Sequence, residues 1–72
     1  MSVKRSISLA GHRTSIALEP EFWDAVERLA SVRGKSLAGF ITEIDQSRGA
    51  RNLASSVRVA VLKAITSGEG GA

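Results

Sequence analysis

The chain contains no cysteine, and in 72 residues that absence constrains the fold more than any motif does. A domain this small buries only about 60 % of the surface its unfolded chain exposes, so a solitary hydrophobic core is marginal. Small domains compensate with disulfides, a structural metal or association. Without thiols there are no disulfides, and the single histidine, His12, falls short of the four side-chain ligands that a structural zinc needs. Association is left, and the chain is expected to form a homodimer, with a tetramer as the larger alternative.

With 43 % hydrophobic and 24 % charged residues, the composition is that of a folded domain. No run approaches the ~20 apolar residues of a membrane span, and the residues after Met1-Ser2-Val3-Lys4-Arg5 alternate rather than form a continuous apolar stretch. A cytoplasmic protein without a membrane anchor or signal peptide is expected. The net charge of +3 is unevenly placed. Residues 1–18 carry Lys4, Arg5 and Arg13 with no acid, whereas the seven basic and seven acidic side chains of residues 19–72 cancel. In a dimer, two such N-terminal segments make a local field that attracts a polyanion.

The same N-terminal segment alternates in polarity. Ser6-Ile7-Ser8-Leu9 and Arg13-Thr14-Ser15-Ile16-Ala17-Leu18 read as two short strands. A four-residue turn from Ala10 to Arg13 would set Leu9 opposite Thr14 and Ile7 opposite Ile16, giving a hairpin with one apolar face. Alternatively the second run pairs with its own copy in another chain. After Leu18 the period becomes helical. Glu19-Pro20-Glu21 is a helix start, and Phe22, Val26 and Leu29 form a stripe widened by Ala25 and Val32. Gly34 suits the left-handed position that ends such a helix. Ser36 caps a second helix carrying Leu37, Phe40, Ile41 and Ile44 and running to about Asp45 or Ser47. Asn52 caps a third helix, in which Leu53, Val57, Ala60, Val61, Ala64 and Ile65 share a face. Val59 and Leu62 make its other side apolar too, so this helix is expected to touch partners on two sides. Residues from Gly68 onward read as a frayed end.

A strand, a helix, a glycine-containing turn and a second helix, as in the run from Arg13 to Ile41, resemble the ribbon-helix-helix family that includes the Arc and methionine repressors. Lys4-Arg5-Ser6, Gly11-His12-Arg13-Thr14-Ser15, Glu21-Phe22-Trp23 and Asn52-Leu53-Ala54-Ser55-Ser56 are more narrowly similar to short bacterial members with an extra C-terminal helix. The resemblance covers about residues 4–66 and implies a mainly α fold with a short β ribbon in an intertwined homodimer. It divides the chain into residues 1–12, a basic arm or first hairpin strand, residues 13–66, the domain proper with its third helix, and residues 67–72, a disordered tail. Ile16, Leu18, Phe22, Val26, Leu29, Leu37, Phe40, Ile41 and Ile44 would then form a dimer core that neither chain could close alone.

The resemblance further implies a transcriptional regulator that inserts an antiparallel ribbon into the major groove of double-stranded DNA. With Ile16 and Leu18 inward, Arg13, Ser15 and Ala17 face the bases. Arg13 suits the O6 and N7 of guanine, Ser15 reads either base class weakly, and Ala17 at best meets a thymine methyl, where family members usually carry a polar reader. Lys35 and Ser36 match the family position at which the second helix presents its N-terminus to a phosphate. Lys4, Arg5 and His12 are candidates for phosphate contacts by a flexible arm. Trp23, one step off the first stripe, is expected to pack against the third helix rather than stack on a base.

No enzyme is expected. Glu19, Glu21, Asp24 and Glu27 fall on the first helix as a solvated, dipole-favourable face, and Glu43 and Asp45 point to different helix faces. No cofactor or metal is expected either, and single-strand binding lacks the exposed aromatics that base stacking needs. The competing class is a protein-interaction module, an antitoxin-like or structural dimer that docks a partner through residues 53–65. A hairpin in residues 6–18 favours this second class, because it would widen the dimer's ribbon to four strands against a groove about 12 Å across.

Overall fold

The structure is a computed structural model that describes residues 1–69. The alternating segment folds as a hairpin of β1 (Val3–Leu9) and β2 (His12–Leu18). Its turn is the two residues Ala10 and Gly11, at φ +50° and +84°, in place of the four-residue turn expected from the sequence. Leu9 therefore pairs with His12, Ile7 with Thr14, Arg5 with Ile16 and Val3 with Leu18. The register is displaced by two residues from the expected one. An even displacement preserves the faces of a strand, so Ile7, Leu9, Ile16 and Leu18 still share one side, and all four are buried.

Two consecutive positive φ angles define the turn that matches the twist of a hairpin, and asparagine followed by glycine is its favoured sequence. Alanine at the first position carries a steric penalty of about 1–2 kcal/mol in that region. Ala10→Asn is accordingly expected to stabilise the chain by about 1 kcal/mol. Urea unfolding checks it: the midpoint should rise with an unchanged slope, and a lower midpoint would show that the turn is not strained.

Three helices among the described residues cover the inner side of the hairpin: α1 (Pro20–Val32), α2 (Leu37–Ser47) and α3 (Leu53–Thr66). Each starts as its sequence dictates. Pro20 opens α1, the Ser36 hydroxyl accepts from Gly39 N at 3.0 Å, and Asn52 Oδ1 accepts from Ser55 N at 2.7 Å. Gly34 and Gly68, both left-handed, end α1 and α3 in the same way: the amide of Lys35 reaches back to Ala30 O and that of Glu69 to Ala64 O, each at 2.8 Å. The tail expected from residue 67 is thus ordered through Glu69, whose carboxylate forms an ion pair with Arg33 across the two helix ends. Residues 70–72 lie outside the described residues.

Among the described residues, thirteen buried apolar side chains form one core between hairpin and helices, with Trp23, Phe40, Leu18, Leu29 and Ile41 the largest of those fully buried. This differs from the expectation that no single chain could close it. The hairpin supplies a second apolar strand and α3 supplies Val57, Val61 and Ala64, so one chain covers Leu18, Val26 and Ile41 completely. Of the expected dimer core, Phe22, Leu37 and Ile44 remain half-buried. The buried stripe of α1 is rotated toward Trp23 and Ala30, while Val32, expected to widen it, is 59 % exposed. Trp23, expected against α3, is bound to β1: its indole N–H donates to Val3 O at 2.8 Å, and the Arg5 guanidinium stacks 4.6 Å above its ring. Val57 and Val61 occupy the expected inner face of α3, but Ile65 is exposed.

Arg58 of α3 grips Glu19 before α1 at 2.9 and 3.2 Å. Hydrogen bonding from Arg58 holds the Glu19 carboxyl below the ordinary carboxylate range, and Arg33 does the same to Glu69. Carboxylates depressed in the folded state contribute stability that is complete above their unfolded value of about 4.3 and is lost as pH falls through the folded value. The melting temperature is therefore expected to hold from pH 7 to about 5 and to decline below about 4. In the Glu19→Gln/Glu69→Gln variant the decline should be shallower; an identical decline would exclude these pairs as its source. Both pairs are solvent-screened, so the effect is small.

Candidate nucleic-acid interface

A strand directs alternate side chains to opposite faces, and burial of Ile7, Leu9, Ile16 and Leu18 forces the intervening residues outward. The outer face of the hairpin consequently carries Lys4, Ser6 and Ser8 from β1 and Arg13, Ser15 and Ala17 from β2, all exposed. In register, Lys4 lies opposite Ala17, Ser6 opposite Ser15 and Ser8 opposite Arg13. Arg13 Nε donates to the Ser6 hydroxyl on the diagonal at 3.4 Å. The face holds two cations and three hydroxyls and no acid. Neither Lys4 nor Arg13 is in an ion pair among the described residues, whereas Arg5, Arg33, Lys35, Arg48 and Arg58 all are.

The structure brings Arg13, Ser15, Ala17 and Lys4 together and separates them from the other expected contacts. Arg5 belongs to the inward row, where Glu27 binds it at 2.7 Å and Trp23 lies beneath it. Residues 3–9 are a paired strand and not a free arm. His12 closes the turn opposite Leu9, exposed but on the inward row. Lys35 and Ser36 sit in the helical layer; Lys35 is paired with Glu43, and the Ser36 hydroxyl already serves Gly39. Sequence reasoning missed Ser6 and Ser8, although the alternation that turns Ile7 and Leu9 inward also turns these two outward.

The second edge of β2 is open, since the sheet has two strands among the described residues. In an antiparallel pair the residues that bond across the ladder alternate with residues whose peptide groups point away. Counted from the closing pair Leu9–His12, Arg13, Ser15 and Ala17 direct their N–H and C=O groups to that open edge. The side chains that face outward and the backbone that is free to pair thus belong to the same three residues.

A two-stranded ribbon with a polar, basic outer face, backed by a helix, a tight turn and a second helix, defines the ribbon-helix-helix class. A family model of the ribbon-helix-helix domain matches residues 2–65, and the chain belongs to that family. Among solved structures it is similar to an uncharacterized protein from Bordetella pertussis Tohama I, with 34 % identity and a TM-score of 0.77. That match covers 92 % of this chain and 57 % of the other, so the chain spans little more than half the length of that protein. No curated protein matches the chain significantly. Among the described residues no helix is long and apolar enough to cross a membrane.

Proposed function

We propose that the protein is a DNA-binding regulator that acts as a homodimer, with the outer face of the hairpin as its DNA surface. The observation that carries this reading is the acid-free outer face on which Lys4 and Arg13 remain unpaired, among the described residues, beside Ser6, Ser8 and Ser15. Membership of a family whose known ribbons enter DNA grooves supports it. The open edge of β2 suits a two-fold pairing centred on Ser15, with Arg13 opposite Ala17 of the second copy.

That pairing gives four strands in the order β1, β2, β2, β1, spanning about 14 Å between the outer strands. The major groove is about 12 Å wide. A sheet of this width rests across the groove mouth, with Lys4 on the outer strands close to the phosphates and Arg13 on the central strands above the bases. Only the long Arg13 side chain reaches base edges from there, so binding is strongly salt-dependent and modest in sequence preference. The test is binding of the purified protein to random-sequence duplex DNA at several salt concentrations. Log affinity should fall linearly with log salt at a slope of about 0.9 per phosphate neutralised. Absence of binding at low salt, where this attraction is largest, would remove the reading.

A second reading, a module that docks a protein partner through α3, is favoured by the exposure of Leu62 (64 %) and Ile65 (57 %) on that helix and by the hairpin itself. It predicts no duplex binding at any salt concentration.

A further inference from the structure

We propose that the cleft between the C-terminal half of α2 and the middle of α3 is a binding site for a small amphiphilic carboxylate, with Arg51 and Lys63 as its anion-binding pair. The cleft has a volume of about 220 Å³, and Ile44, Val59 and Ala60 form its apolar lining. This is the space of about seven waters, enough for a small organic molecule.

The polar groups around it select the sign of the ligand. Arg51 and Lys63 both line the cleft, no acid among the described residues does, and neither cation is in an ion pair among those residues. The two hydroxyls in the wall are committed to their own helices: Ser47 donates to Glu43 O at 3.1 Å and Ser56 to Asn52 O at 2.9 Å. A ligand's polar end therefore meets cations and no free hydroxyl donor, which favours an anion over a sugar or an alcohol. Asp45, the nearest acid in sequence to Arg51, is held by Arg48 at 2.7 Å. Arg48 also donates to Arg51 O at 2.6 Å, which fixes the loop that carries Arg51 at the wall of the cleft. A guanidinium pairs two carboxylate oxygens in parallel, an ammonium supplies a second charge, and the apolar lining accounts for a hydrocarbon body. The cleft is lined by α2, α3 and the loop between them and by no residue of the hairpin, and the proposal does not depend on DNA binding.

The experiment is a titration of the isotope-labelled full chain followed by amide chemical shifts, with three probes. Octanoate carries both features, octanol has the chain without the charge, and inorganic phosphate has charge without the chain. Octanoate should give saturable shifts at Val59, Ala60 and Lys63, at least tenfold tighter than either other probe. Arg51→Gln/Lys63→Gln should weaken octanoate at least tenfold with an unchanged melting curve, and Lys63→Gln alone serves if the double variant does not fold. Equal binding of octanoate and octanol, equal binding of phosphate, or no saturable shift would each overturn the proposal. So would shifts of the cleft amides with protein concentration alone, because a second copy would then be the occupant.

Discussion

Lys4→Glu/Arg13→Glu is expected to abolish binding to duplex DNA while leaving the fold intact. Both side chains are exposed on the outer face, opposite the buried row of the hairpin. In a homodimer the two substitutions replace four positive charges with four negative ones on one surface. Neutralising Lys4 alone should flatten the salt slope by about 2 per dimer, because each phosphate contact contributes about 0.9. Arg13→Ala should do more, removing the one residue long enough to read a guanine edge, a contact that discriminates by about 1–3 kcal/mol. Charge reversal goes further and should lower affinity at low salt by more than a hundredfold. Arg5→Ala is the internal control: with its guanidinium bound to Glu27 and stacked on Trp23, its loss should leave the salt slope unchanged. Fluorescence anisotropy on a labelled random duplex reads the four variants against the parent protein. Undiminished binding by Lys4→Glu/Arg13→Glu, or a loss confined to Arg5→Ala, would place the DNA surface elsewhere.

Trp23→Ala is expected to leave the chain largely unfolded at room temperature. The indole is 1 % exposed and is the largest side chain in the core, and truncating a buried aromatic costs about 3–5 kcal/mol. Total stabilities of about 0.05–0.15 kcal/mol per residue leave a chain of this length little reserve. The indole also ties the layers together, since its N–H donates to Val3 O on β1 while Arg5 from the same strand covers its ring. Removal therefore releases the start of the hairpin as well as opening a cavity. Trp23→Phe preserves much of the packing but loses the bond to Val3, which is worth about 1 kcal/mol. Its melting temperature should fall by about 4–8 °C, the shift expected per kcal/mol in a domain of this size. Thermal melts followed by circular dichroism compare the three proteins. A shift of only a few degrees in Trp23→Ala would show that the core closes without the indole.

The expectations that failed for α1 and for the cations share one physical origin. Periodicity assigns α1 a stripe of Phe22, Val26 and Leu29, and the structure turns it toward Trp23 and Ala30, because the neighbour that buries a helix decides which flank of the stripe is innermost. The same reasoning covers Arg5. Composition marks it as one of three free N-terminal cations, but its place in the strand puts it on the inward row, where Glu27 of α1 and the Trp23 ring bind it. Lys35 likewise loses its freedom to Glu43, eight residues ahead in the chain. Acid–base partners that meet only after folding are not legible from local spacing. The outer face was legible, because strand alternation is a local rule: once Ile16 and Leu18 are inward, Arg13, Ser15 and Ala17 must face out.

The secondary-structure elements have local causes. Alternation specified two strands, Pro20, Ser36 and Asn52 started three helices, Gly34 ended the first, and the inward row of the sheet followed from its apolar residues, each through backbone sterics and hydrogen bonding within a few residues. Tertiary structure alone decided that β1 pairs with β2 in the same chain, that hairpin and α3 together close a core one chain can fill, and which cations stay free. Closing the core depends on contacts between residues about 20 to 40 positions apart, as in Trp23 with Val3, Arg58 with Glu19 and Arg33 with Glu69. Such contacts form only where packing brings the groups together, and nothing in the local sequence encodes that meeting.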